Sequence, residues 1–393
     1  MYRILTTHNI DKSGLDVLER AGFEYSVDMS AYQGILLKGR DINDMHFGDD
    51  VLAIARAGAH VSNVPVKECN EAGIVVFYTP GANANAVKEL TLASLILASR
   101  NIIGAANYAS SLSSEEDAAA AAEKHKAEYC GSEIAGRTLG VIGLGSVGSM
   151  VAESALALGM KVIGYDPYID VASAWNLPGG VERATDVRDM ISVCDYVTVH
   201  VPSNPGNDRQ INRAFLDSMK EGAALINNSS AGIAVASDVK EALLSGRLSC
   251  YVTDFPVAQL CGVRGAVVLP HIGSETLETE EKSSAMAAKA LADYLLYGNI
   301  RNSLNFPNCV MPWRKRTRIS IVNFNVPSMI SMMTTIVAKE GINIENMLNS
   351  SRGNIAYTLI DVDAPASKCR RLVDELRQVG GIVRVRLIQG GEQ

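Results

Sequence analysis

Residues 138–166 read TLGVIGLGSVGSMVAESALALGMKVIGYD. Thr138 to Ile142 is a short apolar strand, and Gly143, Gly145 and Gly148 follow in G-x-G-x-x-G spacing. Val151 to Leu158 continues as an Ala-rich helix, and Lys161 to Tyr165 is a second strand that ends at Asp166. Each part has a mechanical reason. The first glycine permits a tight turn, the second lets a diphosphate approach the backbone, and the third lets helix and strand pack closely. The N–H groups of Ser146 and Val147 would open a helix whose positive dipole end faces the phosphates. An acid at position 166 suits a ribose 2′-hydroxyl and repels a 2′-phosphate, so the expected cofactor is NAD. The alternative is an α/β unit whose glycines serve packing alone.

The chain has 393 residues, enough for two or three domains with their own cores. Hydrophobic residues make up 47% and charged residues 20%, which fits a globular cytoplasmic protein. A net charge of −7 argues against a nucleic-acid surface. The basic run Arg314-Lys315-Arg316-Thr317-Arg318 is expected to be a solvated linker between domains. The seven cysteines are scattered, with neither C-x-x-C nor a Cys/His metal spacing, so reduced thiols and no metal are expected. No apolar run reaches the roughly 18–20 residues of a membrane span, and the N-terminus lacks a signal-peptide pattern.

Before the nucleotide unit the chain alternates strand and helix patterns. Tyr2–Thr6, Gly34–Leu37, Ala53–Ala57 and Gly73–Phe77 read as strands and Lys12–Ala21 as a helix, a βαβ rhythm that implies a parallel sheet. Asn85–Arg100 has helical periodicity, and residues 104–130 read as a connecting helix. Further strands are expected at Tyr196–Val201, Ala223–Asn227, Cys250–Asp254 and Val267–Leu269, then a long helix over Glu280–Leu296. Beyond the basic run, strands Arg318–Val322, Ile355–Val362 and Val383–Ile388 alternate with helices Pro327–Lys339 and Ser367–Gly380. This is the β-α-β-β-α-β, ferredoxin-like plan.

The stretches TPGANANAVKELTL at 79–92, the fingerprint at 143–166, His200-Val201-Pro202, Asp254-Phe255-Pro256 and Leu269-Pro270-His271-Ile272-Gly273 carry a resemblance over nearly the whole chain. It is to the D-2-hydroxyacid dehydrogenases of the phosphoglycerate dehydrogenase type, which end in an ACT domain. The resemblance implies a Rossmann-like cofactor domain (101–282) inserted in a flavodoxin-like substrate domain (1–100 and 283–308), followed by a ferredoxin-like ACT domain (317–393). It implies oxidation of 3-phosphoglycerate to 3-phosphohydroxypyruvate in serine biosynthesis, in a dimer or tetramer regulated by an amino acid, usually serine. It makes His271 the acid/base group, which suits imidazole near neutral pH. His200, Val201, Pro202 and Asp254 would join the glycine loop at the cofactor. Lys38, Arg40, Ala59, His60, Val61 and Asn83 would face substrate. Asn323, Asn325 and Asn343 match effector positions, with Asn323 in place of the usual histidine and Ser328 in place of a glycine.

The same alignment implies two departures. Ser230 stands where the family has the arginine that grips the substrate carboxylate, and Ala258 where it has the glutamate that orients the histidine. An impaired or altered active site follows, with Arg264 the nearest candidate for a substitute cation. The alternatives are an NAD-binding sensor without turnover and a dehydrogenase for another 2-hydroxyacid or 2-oxoacid.

Overall fold

The computed structural model describes residues 1–59, 62–114, 117–169, 171–202 and 206–389. It forms two compact units, one of Met1–Ala82 with Leu277–Gln393 and one of Asn83–Thr276.

The first unit begins with five parallel strands: β1 (Arg3–Thr6), β2 (Glu24–Ser26), β3 (Gly34–Leu37), β4 (Ala53–Arg56) and β5 (Val75–Phe77), in the order β2-β1-β3-β4-β5. Their apolar runs, such as Ile35-Leu36-Leu37, suit a sheet covered on both faces, and all three residues are buried. The second unit holds seven parallel strands: β6 (Thr138–Ile142), β7 (Lys161–Tyr165), β8 (Val181–Arg183), β9 (Tyr196–Val199), β10 (Ala223–Asn227), β11 (Leu248–Thr253) and β12 (Ala266–Val268). Their order, β12-β11-β10-β9-β6-β7-β8, is the doubly wound arrangement that reverses direction between β6 and β9.

Back in the first unit, β13 (Thr317–Phe324), β14 (Ile344–Arg352), β15 (Ile355–Val362) and β16 (Ile382–Ile388) form an antiparallel sheet in the order β14-β15-β13-β16. This is the expected ferredoxin-like order. All eight residues of β15 are buried, because both faces of the sheet are covered. Ile319, Ile321 and Ile360 pack against helices Met329–Lys339 and Ala366–Arg377. On the other face Val322, Tyr357 and Leu359 join one core with Ile4, Phe77 and Leu291 of the long helix Leu277–Tyr297.

That second face corrects the expectation of a solvated basic linker at its last residue: Arg314, Lys315 and Arg316 are exposed, but Thr317 and Arg318 belong to β13. Arg318 is fully buried. Its Nε donates to Asp361 Oδ1 (2.6 Å) and its Nη2 to Asp361 Oδ2 (3.0 Å). The remaining N–H groups serve the carbonyls of Tyr297 (2.9 Å), Met311 (3.0 Å) and Pro312 (3.0 Å), while the guanidinium lies over the Trp313 ring. A charge run reads as solvated because a guanidinium is costly to bury alone. Here each donor has an acceptor, and Asp361 lies 43 residues away.

Two other expectations change. Residues 104–130 are not one helix. Ile102–Ser111 and Ala118–His125 are separate, each followed by a short 3-10 turn, because Asp117 starts a new helix by accepting from Ala120 N (3.0 Å). The short strands β2 and β8 carried no visible pattern, with three residues each. All seven cysteines are free thiols, and five are buried. Among the described residues no single helix is long and apolar enough to cross a membrane.

Removing the charge of Asp361 would strand a buried guanidinium. Asp361→Asn is expected to lower the free energy of unfolding by about 3–5 kcal/mol, which a urea titration would read.

Candidate functional site

In the second unit the three glycines after β6 do three separate jobs. Gly143 has φ +87° and its N–H donates to Tyr165 O (2.9 Å), so the chain turns sharply where a Cβ would meet His200 O at 2.6 Å. A Cβ on Gly148 would sit 1.9 Å from Gly143 O, so only glycine lets the helix Ser146–Ala157 pack this close. Gly145 is different: a Cβ there would meet nothing of the chain within 4 Å. Its requirement is not internal. It begins the helix without any side-chain cap, so the N–H groups of Ser146, Val147 and Gly148 are left to a ligand at the N-terminus. That open cradle fits a diphosphate.

Asp166 follows β7. Its Oδ2 accepts from Leu144 N (2.9 Å) and its Oδ1 from Tyr168 N (2.9 Å). The carboxylate is thus fixed beside the glycine turn, with lone pairs remaining for hydroxyl donors. His200, after β9, pairs its Nε2 with Thr198 Oγ1 (3.0 Å), and burial pushes its pKa down to about 4. The ring is neutral at neutral pH. Val201 O accepts from Ser229 Oγ, tying the loop after β9 to the loop after β10. Pro202 follows in the same loop.

Asn227, fully buried at the end of β10, shapes that second loop: its Oδ1 accepts from Ser229 N (3.2 Å) and Ser230 N (3.4 Å), and its Nδ2 donates to Ser230 O (2.9 Å). Asp254 does the same for the loop after β12. Its Oδ1 accepts from Ile272 N (2.8 Å) and its Oδ2 from Gly273 N (2.6 Å). These bonds hold the two residues that follow His271, which has φ +62°, a conformation uncommon for a side chain with a Cβ. The His271 ring lies exposed, 5.0 Å from Phe255 between centroids. Such an outlier, held by a buried carboxylate, is a pointer to function. Asp254 therefore spends an acceptor of each oxygen on the main chain before any cofactor arrives.

Gly143, Asp166, His200, Ser230, Asp254 and His271 all follow strands of one parallel sheet, so they share its carboxyl edge. Ser230 is half-buried and Ala258 exposed. Arg264 is at the other edge. It precedes the three-residue β12, whose far end leads to His271, and it lines a cavity with Arg100 and Gly246. It is misplaced as a substitute cation. The Ser229–Val201 contact has no sequence signal, because its partners lie 28 residues apart, whereas the Asn227 contacts to Ser229 and Ser230 are local and follow from an Asn at a strand end. Asn83 precedes the helix Ala84–Ser99 without capping it through its side chain.

In the first unit, Lys38 follows β3 and forms an ion pair with Glu280; Arg40 is exposed. Ala59 lies in the turn after β4, where Gly58 N donates to Thr79 Oγ1 (2.8 Å). His60 and Val61 lie outside the described residues. Asn323 is buried, with Nδ2 donating to Phe324 O (2.8 Å) and Oδ1 unpartnered. Asn325 and Asn343 lie before and after the helix Met329–Lys339, whose 11 residues span about 16 Å. One small effector could not touch both in a single chain. Ser328 has φ +70°, where glycine would be less strained. Among the described residues no group of three or more His, Cys, Asp or Glu is placed to hold a metal ion.

The glycines separate by experiment. Gly145→Ala is expected to keep the unfolding midpoint while weakening NADH at least about tenfold, because its Cβ would intrude only on the ligand's space. Gly148→Ala is expected to cost roughly 1–3 kcal/mol of stability. Thermal melts and a fluorescence titration with NADH distinguish the two.

Comparison with known proteins agrees with this layout. The NAD binding domain of D-isomer specific 2-hydroxyacid dehydrogenase matches residues 93–273. The chain is 31% identical to the D-3-phosphoglycerate dehydrogenase of Methanocaldococcus jannaschii over 331 residues, 78% of this chain and 60% of that one. It therefore spans less than two thirds of that relative. It is 26% identical to the D-3-phosphoglycerate dehydrogenase of Haemophilus influenzae, over 96% of this chain and 95% of that one. Its fold is similar to that of the NAD+-bound 3-phosphoglycerate dehydrogenase of Entamoeba histolytica, with a TM-score of 0.60 at 22% identity, covering 77% of this chain and 98% of that one. With a doubly wound sheet, a glycine turn fit for a diphosphate and relatives matched along nearly its whole length, the chain belongs to the D-2-hydroxyacid dehydrogenase family.

Proposed function

We propose that the chain binds NAD and interconverts a D-2-hydroxyacid and its 2-oxoacid, at a rate limited by a depleted substrate grip. The observation that carries this reading is the pairing of an open cradle at Gly145 with a backbone-locked His271 on the same sheet edge. NAD, when bound, supplies the two-electron redox chemistry at the substrate's C2. His271 takes the C2 hydroxyl proton in oxidation and returns it in reduction. Asp254 fixes the loop that carries the ring, and Asp166 holds the ribose hydroxyls.

Ser230 can offer a substrate carboxylate one neutral hydrogen bond, where a guanidinium would offer a charged fork. A hydrogen bond to a charged group contributes about 1.5–3 kcal/mol, so the loss is roughly ten- to a hundredfold. Ala258 offers His271 no orienting carboxylate, which removes part of the 10²–10⁴-fold that acid–base catalysis contributes. The relatives' names make 3-phosphoglycerate the first substrate to test. The same two positions favour a second reading, an NAD-binding regulatory homologue without turnover. A cytoplasmic homo-oligomer with a serine-type effector belongs to the first reading. An effector contact that used both Asn325 and Asn343 would draw them from two chains.

The deciding assay is NADH formation with 3-phosphoglycerate and a panel of D-2-hydroxyacids, in the native chain and in Ser230→Arg with Ala258→Glu. The expected outcome is slow native turnover that rises at least about tenfold in the double variant. No turnover in either, with NADH binding intact, would favour the second reading.

A further inference from the structure

The first sheet reverses its strand order between β1 and β3, and open parallel sheets take ligands beyond the carboxyl ends of their strands at such a point. A cavity of about 340 Å³ lies there. It is lined by His8, Asn9, Ile10 and Asp11 after β1, by Lys38 after β3 and by Glu280 of the helix Leu277–Tyr297. Lys38 is ion-paired with Glu280, and the two side chains are 28% and 39% exposed. Asp11 remains a carboxylate, its pKa lowered by hydrogen bonding to Ser13. The cavity thus sets one lysine against two carboxylates.

The helix turn that carries Glu280 is held in place beside the cavity. Ser13 Oγ donates to Glu281 O (2.8 Å), and Asp11 N donates to Ser284 Oγ (3.2 Å). These bonds, from Asp11 and Ser13, join the start of the helix Lys12–Arg20 to the first turns of the helix Leu277–Tyr297. A dianionic phosphate would have to displace the Glu280 carboxylate from Lys38 and then lie beside two like charges. A hydroxyl would accept from Lys38 and donate to Glu280 with the pair intact, and His8 and Asn9 add polar partners.

We propose that Glu280 is a specificity-determining residue that, by occupying Lys38, turns this pocket from phosphorylated 2-hydroxyacids toward those with an uncharged hydroxyl at the far end. The proposal rests on the 2-hydroxyacid reading above and names the substrate class within it. Sequence patterns gave no hint of the pair, since its members lie 242 residues apart.

D-Glycerate and 3-phosphoglycerate differ in the phosphate alone, so their ratio reads the effect. The native chain is expected to favour D-glycerate in kcat/KM by about tenfold or more, and Glu280→Gln to move the ratio at least about tenfold toward 3-phosphoglycerate, through KM. Adding Lys38→Gln to Glu280→Gln is expected to abolish that gain, and melting curves establish that each variant is folded. Calorimetric titration of the two acids into the NADH complex reads the same order without turnover. Absence of turnover with that binding order preserved would defeat the dehydrogenase reading and support the pocket's selectivity. A native preference for 3-phosphoglycerate, or a folded Glu280→Gln whose ratio and binding order are unchanged, would overturn the proposal.

Discussion

The close approach of Gly148 to the carbonyl of Gly143 is the constraint on which the second unit depends. With a Cβ 1.9 Å from that oxygen the helix would be forced off the sheet, and the turn that precedes it would open. Because the approach is tight, the helix begins directly over the end of β6, and its first N–H groups converge on the space Gly145 leaves empty. The same turn places Leu144 N where it orients Asp166, and sets Gly143 against His200 O. The sharp turn, the position of Asp166 and the approach to His200 O thus go together with one packing contact at the strand-order reversal.

What the sequence made legible is what is local. The glycine spacing, the acid after β7 and the βαβ rhythm each need only neighbouring residues, and they produced the fold class with its two parallel sheets and its antiparallel final sheet. His271 could be singled out only through the family resemblance carried by Pro270-His271-Ile272-Gly273. Its left-handed backbone, and the buried carboxylate that holds it, could not, because Asp254 acts across strands. Arg318 shows the same limit in the opposite direction. Arg314 to Arg316 are exposed as a basic run suggests, but the fold supplies Asp361 and three carbonyls to the last member, Arg318. The Lys38–Glu280 pair joins the two ends of a discontinuous unit, and no sequence window contains both.

Ser230 and Ala258, the two positions on which the proposed loss of activity rests, follow strands whose loops are well held. The scaffold around them is intact: Asn227 still shapes the loop that carries Ser230, and Asp254 still fixes the loop that carries His271. Meanwhile the final sheet shares a core with the first sheet and the long helix, through Val322, Tyr357 and Leu359. Any ligand that altered that sheet would act on the substrate-binding unit through packed side chains.

The most direct measurement of the central claim is a fluorescence titration of the purified chain with NADH and NADPH in parallel. The account predicts saturable NADH binding, with NADPH weaker by at least about tenfold, because each charge of a 2′-phosphate about 4 Å from Asp166 costs ~1 kcal/mol even in water. Equal affinity for the two, or no saturation with NADH at millimolar concentration, would contradict it.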